Sequence, residues 1–527
     1  MTAFADVPAQ ALTWYQATVA TAREPRPLTF DLDVDVCVVG GGLAGLTVAR
    51  EVARRNWSVA VLEAHRIAWN ASGRNCGFVL PGFAETLPRI AERVGLDDAR
   101  AMWALADAGR AYVRDAIAET AMPGVEPVDG WLRVAKFAED PQFAARAAEL
   151  AERYEAAVEV WSTEQVRASL RSPLYCNAMH FPTAFHIQPL NYALGLAAAA
   201  EHAGARIFEA TPALALDPAG VRKRVVTPSA RVRAGKVVLA GNVHLGPLAP
   251  RLAATLMPIT TFIATTAPIG ERLHETIGYS GAVSDSERAD NHYRIVGGDR
   301  LLWSGGMRAW NAGPRRFARR LRADIARTYP QLKGVEIEHV WSATLGRTVH
   351  RMPQIGELSP GLWVASGFGG HGLNTTAMAG LLIARAIVEN DTSWRLFEPY
   401  ELVWAGGAAG RAVIQAGYAG ARLGERINAL AMRWRRRKQW PKPAPPPAAA
   451  PSLADAPHEP SEPTKTSAAI TVEAAAAATP EAAEPRPPAR NRRRRRSANK
   501  PAAIPASEAP AAAGQAEQSP GHQRTVD

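Results

Sequence analysis

The sequence predicts an α/β fold followed by a long tail that has no core of its own. Two observations carry the fold class. A run of β-forming residues passes through a glycine turn into a small-residue helix at Val36–Gly45, "VCVVGGGLAG", and the same pattern returns near Phe368. A third observation ends the folded part. From Pro441 the chain is rich in Ala, Pro and Arg, as in "PKPAPPPAAAPSLADAPHEP", and nearly lacks large apolar groups. Such a segment cannot bury enough surface to offset its ordering entropy, so 441–527 reads as a disordered tail.

The first element is a buried parallel strand, Asp35–Val39. A helix over Leu43–Arg55 follows, with Leu43, Leu46, Val48, Ala49, Val52 and Ala53 as its apolar positions, and "WSVAVLE", Trp57–Glu63, is a second strand ending in an acid. Gly40, Gly42 and Gly45 fall at the first turn, and Glu63 follows about 20 positions on, the spacing of a Rossmann-like dinucleotide unit. Gly40 makes the tight turn, Gly42 admits a pyrophosphate and Gly45 lets helix and sheet approach. The helix N-terminus offers free N–H groups to phosphates. Glu63 can accept hydrogen bonds from both ribose hydroxyls.

The second glycine element follows the apolar strand "LWVASGF", which ends at Phe368. Gly369, Gly370, His371, Gly372 and Leu373 form its turn, and Thr375–Val388 an apolar helix. Alone it is also consistent with a packing turn. Two such turns, far apart in sequence, are suited to converge on one extended ligand.

Composition bounds the rest. The net charge is +11, but 16 Lys/Arg against 9 Asp/Glu from Arg433 onward place 7 of it in the tail, leaving about +4 (11 − 7) for the body. Nucleic acid is therefore not an expected partner of the fold. Three cysteines, Cys37, Cys76 and Cys176, lack paired spacing and point to a reducing, cytoplasmic compartment. A secretory leader is not expected, nor is a bilayer-spanning run. No metal site is expected.

Directly after the second strand comes "EAHRIAWNASGRNCGF", a loop of small and hydrogen-bonding residues. In this loop the chain resembles the FAD-dependent D-amino-acid oxidase, glycine oxidase and sarcosine oxidase superfamily, and in "ASGRN-x-G" most of all the γ-glutamylputrescine oxidoreductase type. Similar stretches cover most of residues 10–400, among them "AGKVVLAGNVH" and "WSATLGRTVHRMPQIGEL". The resemblance implies non-covalent FAD held by Gly40, Gly42, Gly45, Glu63, Ala64, Arg66, Ser72, Arg74, Asn75, Gly77, Ala240 and the Gly369–Leu373 turn. It also implies an FAD domain assembled from 34–100, 155–250 and 340–400, interleaved with a substrate domain carrying a mixed sheet from 101–154 and 251–339. Departures are Trp69, a bulky indole in the approach to the loop, and Cys76, where glycine is common; Cys76 is read as an inert small residue and His65 as unlinked to the flavin.

The implied chemistry is oxidation of a C–N bond of a small amine or amino acid by hydride transfer to flavin N5, with imine hydrolysis. Reoxidation by O₂ would release hydrogen peroxide; the alternative acceptor is a quinone or carrier at the membrane surface. A third reading, from another class, is a vestigial flavin fold serving as a scaffold or nucleic-acid-associated protein through its basic tail. No acid–base residue is assigned. Substrate-side candidates are Tyr293, Trp303, Arg308 and Arg347, with His292 and His350 beside them. Tyr293 and Trp303 would wall a pocket, while Arg308 or Arg347 would pair a carboxylate.

Residues 401–440 read as an amphipathic basic helix. Ile414, Tyr418, Ile427, Leu430 and Trp434 share one face, and Arg411, Gln415, Arg422 and Arg426 another, before the Arg435–Lys438 cluster. It is either an interfacial helix touching an anionic membrane through 410–440 or a surface helix packed on the body.

Overall fold

The computed structural model describes residues 12–285, 291–310, 313 and 315–439. The tail expected at 441–527 lies outside the described residues.

Hydrophobic pattern and glycine spacing build the first sheet. Leu32–Val39 pairs in parallel with Val59–Leu62 on one side and Arg231–Leu239 on the other. The eight-stranded sheet runs in the order Gln354–Ser359, Leu362–Ser366, Arg231–Leu239, Leu32–Val39, Val59–Leu62, Arg206–Phe208, with a two-strand antiparallel extension. Its central strands are buried along their apolar runs, as a parallel sheet covered on both faces demands. The helix Leu43–Ala53 is buried at every position. It crosses the helix Gly372–Glu389 so closely that a Cβ on Gly380 would stand 2.4 Å from Thr47 Cβ.

The second sheet has nine strands and is mixed. Its main path is Ile337–Arg347, Met257–Thr266, Arg300–Arg308, His292–Val296, Ala282–Asp285, Val128–Lys136, Tyr175–His186 and Phe78–Val79. All neighbours run antiparallel except Ala282–Asp285 beside Val128–Lys136. One face packs on the helix Arg315–Thr328 through Tyr293, Trp303, Leu321, Ile325 and Tyr329. A buried ion pair, Lys136 Nζ to Asp285 Oδ2 at 3.0 Å, ties the two parallel strands, and removing one partner of such a pair costs about 3–5 kcal/mol.

The expected domain limits differ from these sheets in several places, and Phe78–Val79 and residues 340–347, expected with the nucleotide domain, both lie in the second sheet. Tyr175–His186, expected with the nucleotide domain, pairs with Val128–Lys136 in the second sheet. Leu96–Thr120, expected largely with the substrate domain, lies instead on the helix Gly372–Glu389, where a Cβ on Gly109 would come within 2.3 Å of the Asn374 carbonyl oxygen. Its Ala, Met and Trp stripe finds an apolar helix there, and burial outweighs order in the chain.

Candidate active site

One cavity of about 890 Å³ joins both glycine turns to a face of the second sheet. That lies at the upper end of the ~300–1,000 Å³ common for ligand sites. Its walls include Gly40, Gly42, Glu63, Ala64, Ser72, Asn75, Ala240 and Gly369 to Leu373, together with Trp131, Ser284, His292 and Ser304 from the second sheet.

The glycines divide by what surrounds them. A Cβ on Gly45 would stand 2.1 Å from the Gly40 carbonyl oxygen, and one on Gly40, at φ +117°, would stand 2.8 Å from the Ala240 backbone. These two serve strand–helix packing. At Gly370 and Gly372 a Cβ would meet nothing within 4 Å, and at Gly42 only the Ser72 side chain within that distance. Bare backbone therefore faces the cavity at both turns. Ser72 Oγ accepts the Leu43 N–H at 3.1 Å, at the start of the first helix. Glu63 accepts the N–H groups of Gly41 (2.7 Å) and His65 (2.8 Å), one on each oxygen, and burial raises its pKa. Asn242 Oδ1, also on the wall, is buried without a partner.

This donor set fits an FAD. Its phosphates would lie against the Gly42 backbone and the first helix N-terminus, its ribose against Glu63, and its ring system near the second turn. Asn75 is fixed for this by donating to the Ala71 and Ser72 carbonyls and accepting the Gly77 N–H.

Four expected cofactor residues, Gly45, Arg66, Arg74 and Gly77, take no part in the cavity wall. Arg66 lies at the surface, paired with Glu209 and with the Arg23 carbonyl. Arg74 is buried and donates to the Ser342 carbonyl at 3.0 Å, while its own carbonyl accepts the Trp341 indole. Burial lowers its pKa to about 10. It joins the loop to the second sheet. Gly77, at φ +82°, is also structural, since a Cβ there would stand 2.1 Å from the Ile187 carbonyl oxygen.

The substrate-side expectations need correction. Tyr293 and Trp303 are fully buried on the helix-facing side of the second sheet and stack on each other at 4.5 Å. Tyr293 Oη lies 2.6 Å from Tyr329 Oη. Because strand side chains alternate, their neighbours His292 and Ser304 line the cavity instead. Arg308 falls on the wrong side for a second reason. The register against Met257–Thr266 slips between Thr260 and Phe262, and Gly306 sits at φ +80°. This bulge resets the alternation, so Met307 joins the cavity and Arg308 lies over the Phe317 ring. His350 is outside the wall, its Nδ1 accepting the Met352 N–H at 3.2 Å. Arg347 does line the cavity and donates to Tyr418 Oη at 3.2 Å.

Sequence reasoning missed a polar chain on the sheet face. Trp131 Nε1 donates to Ser284 Oγ (2.9 Å), and Ser284 lies 2.7 Å from His292 Nδ1. Burial lowers the His292 pKa, which favours the neutral ring, and Nδ1 shares its hydrogen bond with Ser284. His371, at the head of the second helix, is lowered to about 4 by burial, with His292, Arg351 and Arg133 adding to the shift. Arg351 was missed as well. It has φ +63°, its Nε is buried without a partner, and burial and the nearby Arg347 lower its pKa. A short-strand reading of residues 282–285 would have exposed Ser284 and Asp285, but no motif marks them.

Comparison with known proteins identifies the family. The family described as FAD dependent oxidoreductase, DAO, matches residues 35–386. The gamma-glutamylputrescine oxidoreductase of Escherichia coli (strain K12) is 33% identical over 382 residues, spanning 71% of this chain and 88% of that protein. A probable oxidoreductase, OrdL, of Rhizobium meliloti (strain 1021) is 29% identical over 394 residues, or 74% and 91% of the two chains. The crystal structure of glycine oxidase from Geobacillus kaustophilus superposes with a TM-score of 0.60 at 21% identity, over 71% of this chain and 99% of that one, and shares the fold. The match through both glycine turns and the sheet between them establishes that the chain belongs to the DAO family of FAD dependent oxidoreductases.

Proposed function

We propose that this chain oxidises the C–N bond of a small amine or amino acid and passes the electrons to O₂, releasing hydrogen peroxide. The observation that carries the reading is the single cavity running from the two bare-backbone turns to the sheet face with Trp131, Ser284 and His292. Similarity to a gamma-glutamylputrescine oxidoreductase supports a nitrogen-bearing donor.

Bound FAD supplies a hydride acceptor; the substrate loses hydride and a proton, and water hydrolyses the imine to carbonyl and amine. The chain's own work is positioning and exclusion of water. Trp131 and Phe181, stacked at 4.8 Å, form an apolar wall for the substrate carbon chain. His292 and His371 remain neutral near pH 7 and add no positive charge to repel an amine. Arg347 and Arg351, the two neighbouring cations on the wall, suit a carboxylate or another anionic group. We assign no acid–base residue.

Non-covalent attachment is supported by Cys76, whose thiol burial pushes its pKa up to about 11, and by His65, stacked on Trp69 at 4.1 Å. Cytoplasmic residence is supported by three free cysteines, two of them buried. Among the described residues no helix is long and apolar enough to cross a membrane. A membrane quinone or carrier in place of O₂ is the second reading, favoured by the apolar outer side of the C-terminal helix.

The test is to mix the yellow protein anaerobically with a panel of amines and amino acids, then admit air. Bleaching by one compound followed by stoichiometric peroxide supports the proposal. Bleaching without peroxide, and reoxidation by a quinone analogue, would move it to the second reading. No bleaching by any amine would reject both.

A further inference from the structure

The C-terminal helix, Gly407–Gln439, splits the faces expected from the sequence: Ile414 and Tyr418 of the apolar face meet the body, while Ile427 of the same face is exposed. Two of the expected polar residues, Gln415 and Arg422, also turn inward. Gln415 accepts the Ala309 N–H at 3.2 Å, and Arg422 donates to the Met307 carbonyl at 2.9 Å. Between them Tyr418 is buried, bonding to Arg347 on the cavity wall. Ile414 packs beside Tyr418.

The outward side is apolar. Ala409, Ala412, Val413, Ala416, Gly420, Leu423 and Ile427 are all exposed, Val413 at 72%, Leu423 at 59% and Ile427 at 57%. At about 100° per residue these positions fall in one sector, and the same sector holds no Asp, Glu, Lys or Arg from Ala409 to Trp434. At its N-terminal end stands Trp404, 68% exposed, with Leu402 and Val403 exposed beside it. The Trp404 ring lies 3.7 Å from where a Gly407 Cβ would be.

Charge identifies what covers this stripe. The chain carries Arg426, Arg433, Arg435, Arg436, Arg437, Lys438 and Lys442, with no acidic residue from Arg426 to Ala454. An apolar stripe that ends in a run of cations, with Trp404 at its start, matches the surface of an anionic bilayer. A second copy seated on the stripe would leave the cation runs without an anionic partner.

We infer that residues 402–439 dock this protein on anionic membrane surfaces, with Trp404, Val413, Leu423 and Ile427 entering the interface. The docking helix also holds Tyr418 against Arg347, so the surface is continuous with one wall of the cavity. The inference does not depend on which acceptor or amine the site uses.

The test uses the full-length flavoprotein sedimented with phosphatidylcholine vesicles, with or without phosphatidylglycerol. To isolate the helix, Arg492–Arg496 of the tail are replaced by Gln throughout. Binding is expected only with phosphatidylglycerol, weakening with salt and falling about tenfold or more in L423E/I427E. In a second measurement, V413C carrying a polarity-sensitive dye is expected to shift its emission to the blue on the same vesicles; this needs no charged substitution in the helix. Failure to bind phosphatidylglycerol vesicles would overturn the inference. So would binding unchanged in L423E/I427E with no dye shift, or a concentration-dependent dimer that L423E/I427E abolishes.

Discussion

Gly45→Ala and Gly370→Ala should separate the two tasks that glycine performs around the cavity. The Gly45 Cβ would stand 2.1 Å from the Gly40 carbonyl oxygen and 3.0 Å from Val38 Cγ1. Ordinary contact begins at 3.4 Å, so helix and strand must part by about 1.3 Å (3.4 − 2.1). The obstacle is backbone, which cannot yield by a rotamer change, so the cost lies at the upper end of the roughly 1–3 kcal/mol of overpacking; the better helix propensity of Ala returns about 1 kcal/mol, leaving a net loss of about 2 kcal/mol. Gly370 has open space where its Cβ would go, and no left-handed φ. There Ala should leave the apoprotein unchanged or more stable by about 0.4–1 kcal/mol, through the unfolded state. The same methyl projects into the cavity, where it should weaken FAD binding by about tenfold or more, equivalent to ~1.4 kcal/mol. Urea melts of both apoproteins and flavin-fluorescence titrations read the two effects separately. A G370A protein that binds FAD as wild type does would refute the bare-backbone cradle. A G45A apoprotein that melts with wild type would refute the packing argument.

Three further outcomes follow from the geometry. Tyr293→Phe leaves the buried Tyr329 hydroxyl without its 2.6 Å partner, so it should lower stability by about 1–3 kcal/mol in urea melts while kcat/KM stays at the wild-type value; a large kinetic loss would return Tyr293 to the substrate site. His371 and His186 are lowered by burial to about 4 and about 3 from 6.5, so the unfolded chain binds more protons than the native one below pH 6.5. Stability should thus fall on acidification from pH 6.5 toward 4, by up to about 1.4 kcal/mol per pH unit for each histidine, and a flat pH-stability profile there would contradict it. Ser284→Ala orphans the Trp131 indole and removes the hydrogen-bond partner of His292 Nδ1, so it should raise KM or lower kcat with little change in flavin absorbance, measured by steady-state kinetics and titration.

Much of the nucleotide half was legible because its chemistry is local. A tight turn, a close helix approach and an acid at the second strand each require a residue type at a fixed spacing, and Gly40, Gly45 and Glu63 all meet it. The second turn was legible for the same reason. The sheet face was not, because its side depends on parity, and one residue of error exchanges Tyr293 and Trp303 for His292 and Ser304. The Gly306 bulge then reverses the parity again before Arg308, and nothing in the alternation of "LLWSGGMR" announces it. Arg66 and Arg74 were placed at the cofactor by the resemblance of their loop, whereas carbonyls and a carboxylate from distant segments hold them elsewhere. The C-terminal helix shows the same limit. Its amphipathic character was visible in the period, but Ile414 and Tyr418 of one expected face meet the body beside Gln415 and Arg422 of the other, while Ile427 stands exposed.

Tyr15 belongs to a four-residue helix that precedes the first strand, and it is fully buried. Its hydroxyl donates to the Asn75 carbonyl at 2.8 Å and also accepts from Arg294 Nη2, which holds the Ile187 carbonyl as well, while Arg294 Nε holds the Cys76 carbonyl. The opening segment is thereby a wedge driven under the flavin-facing loop. A protease that nicks the chain just past this tyrosine would release cofactor without touching any residue that contacts it, so loss of colour during purification would be a sign of clipping at the extreme amino end.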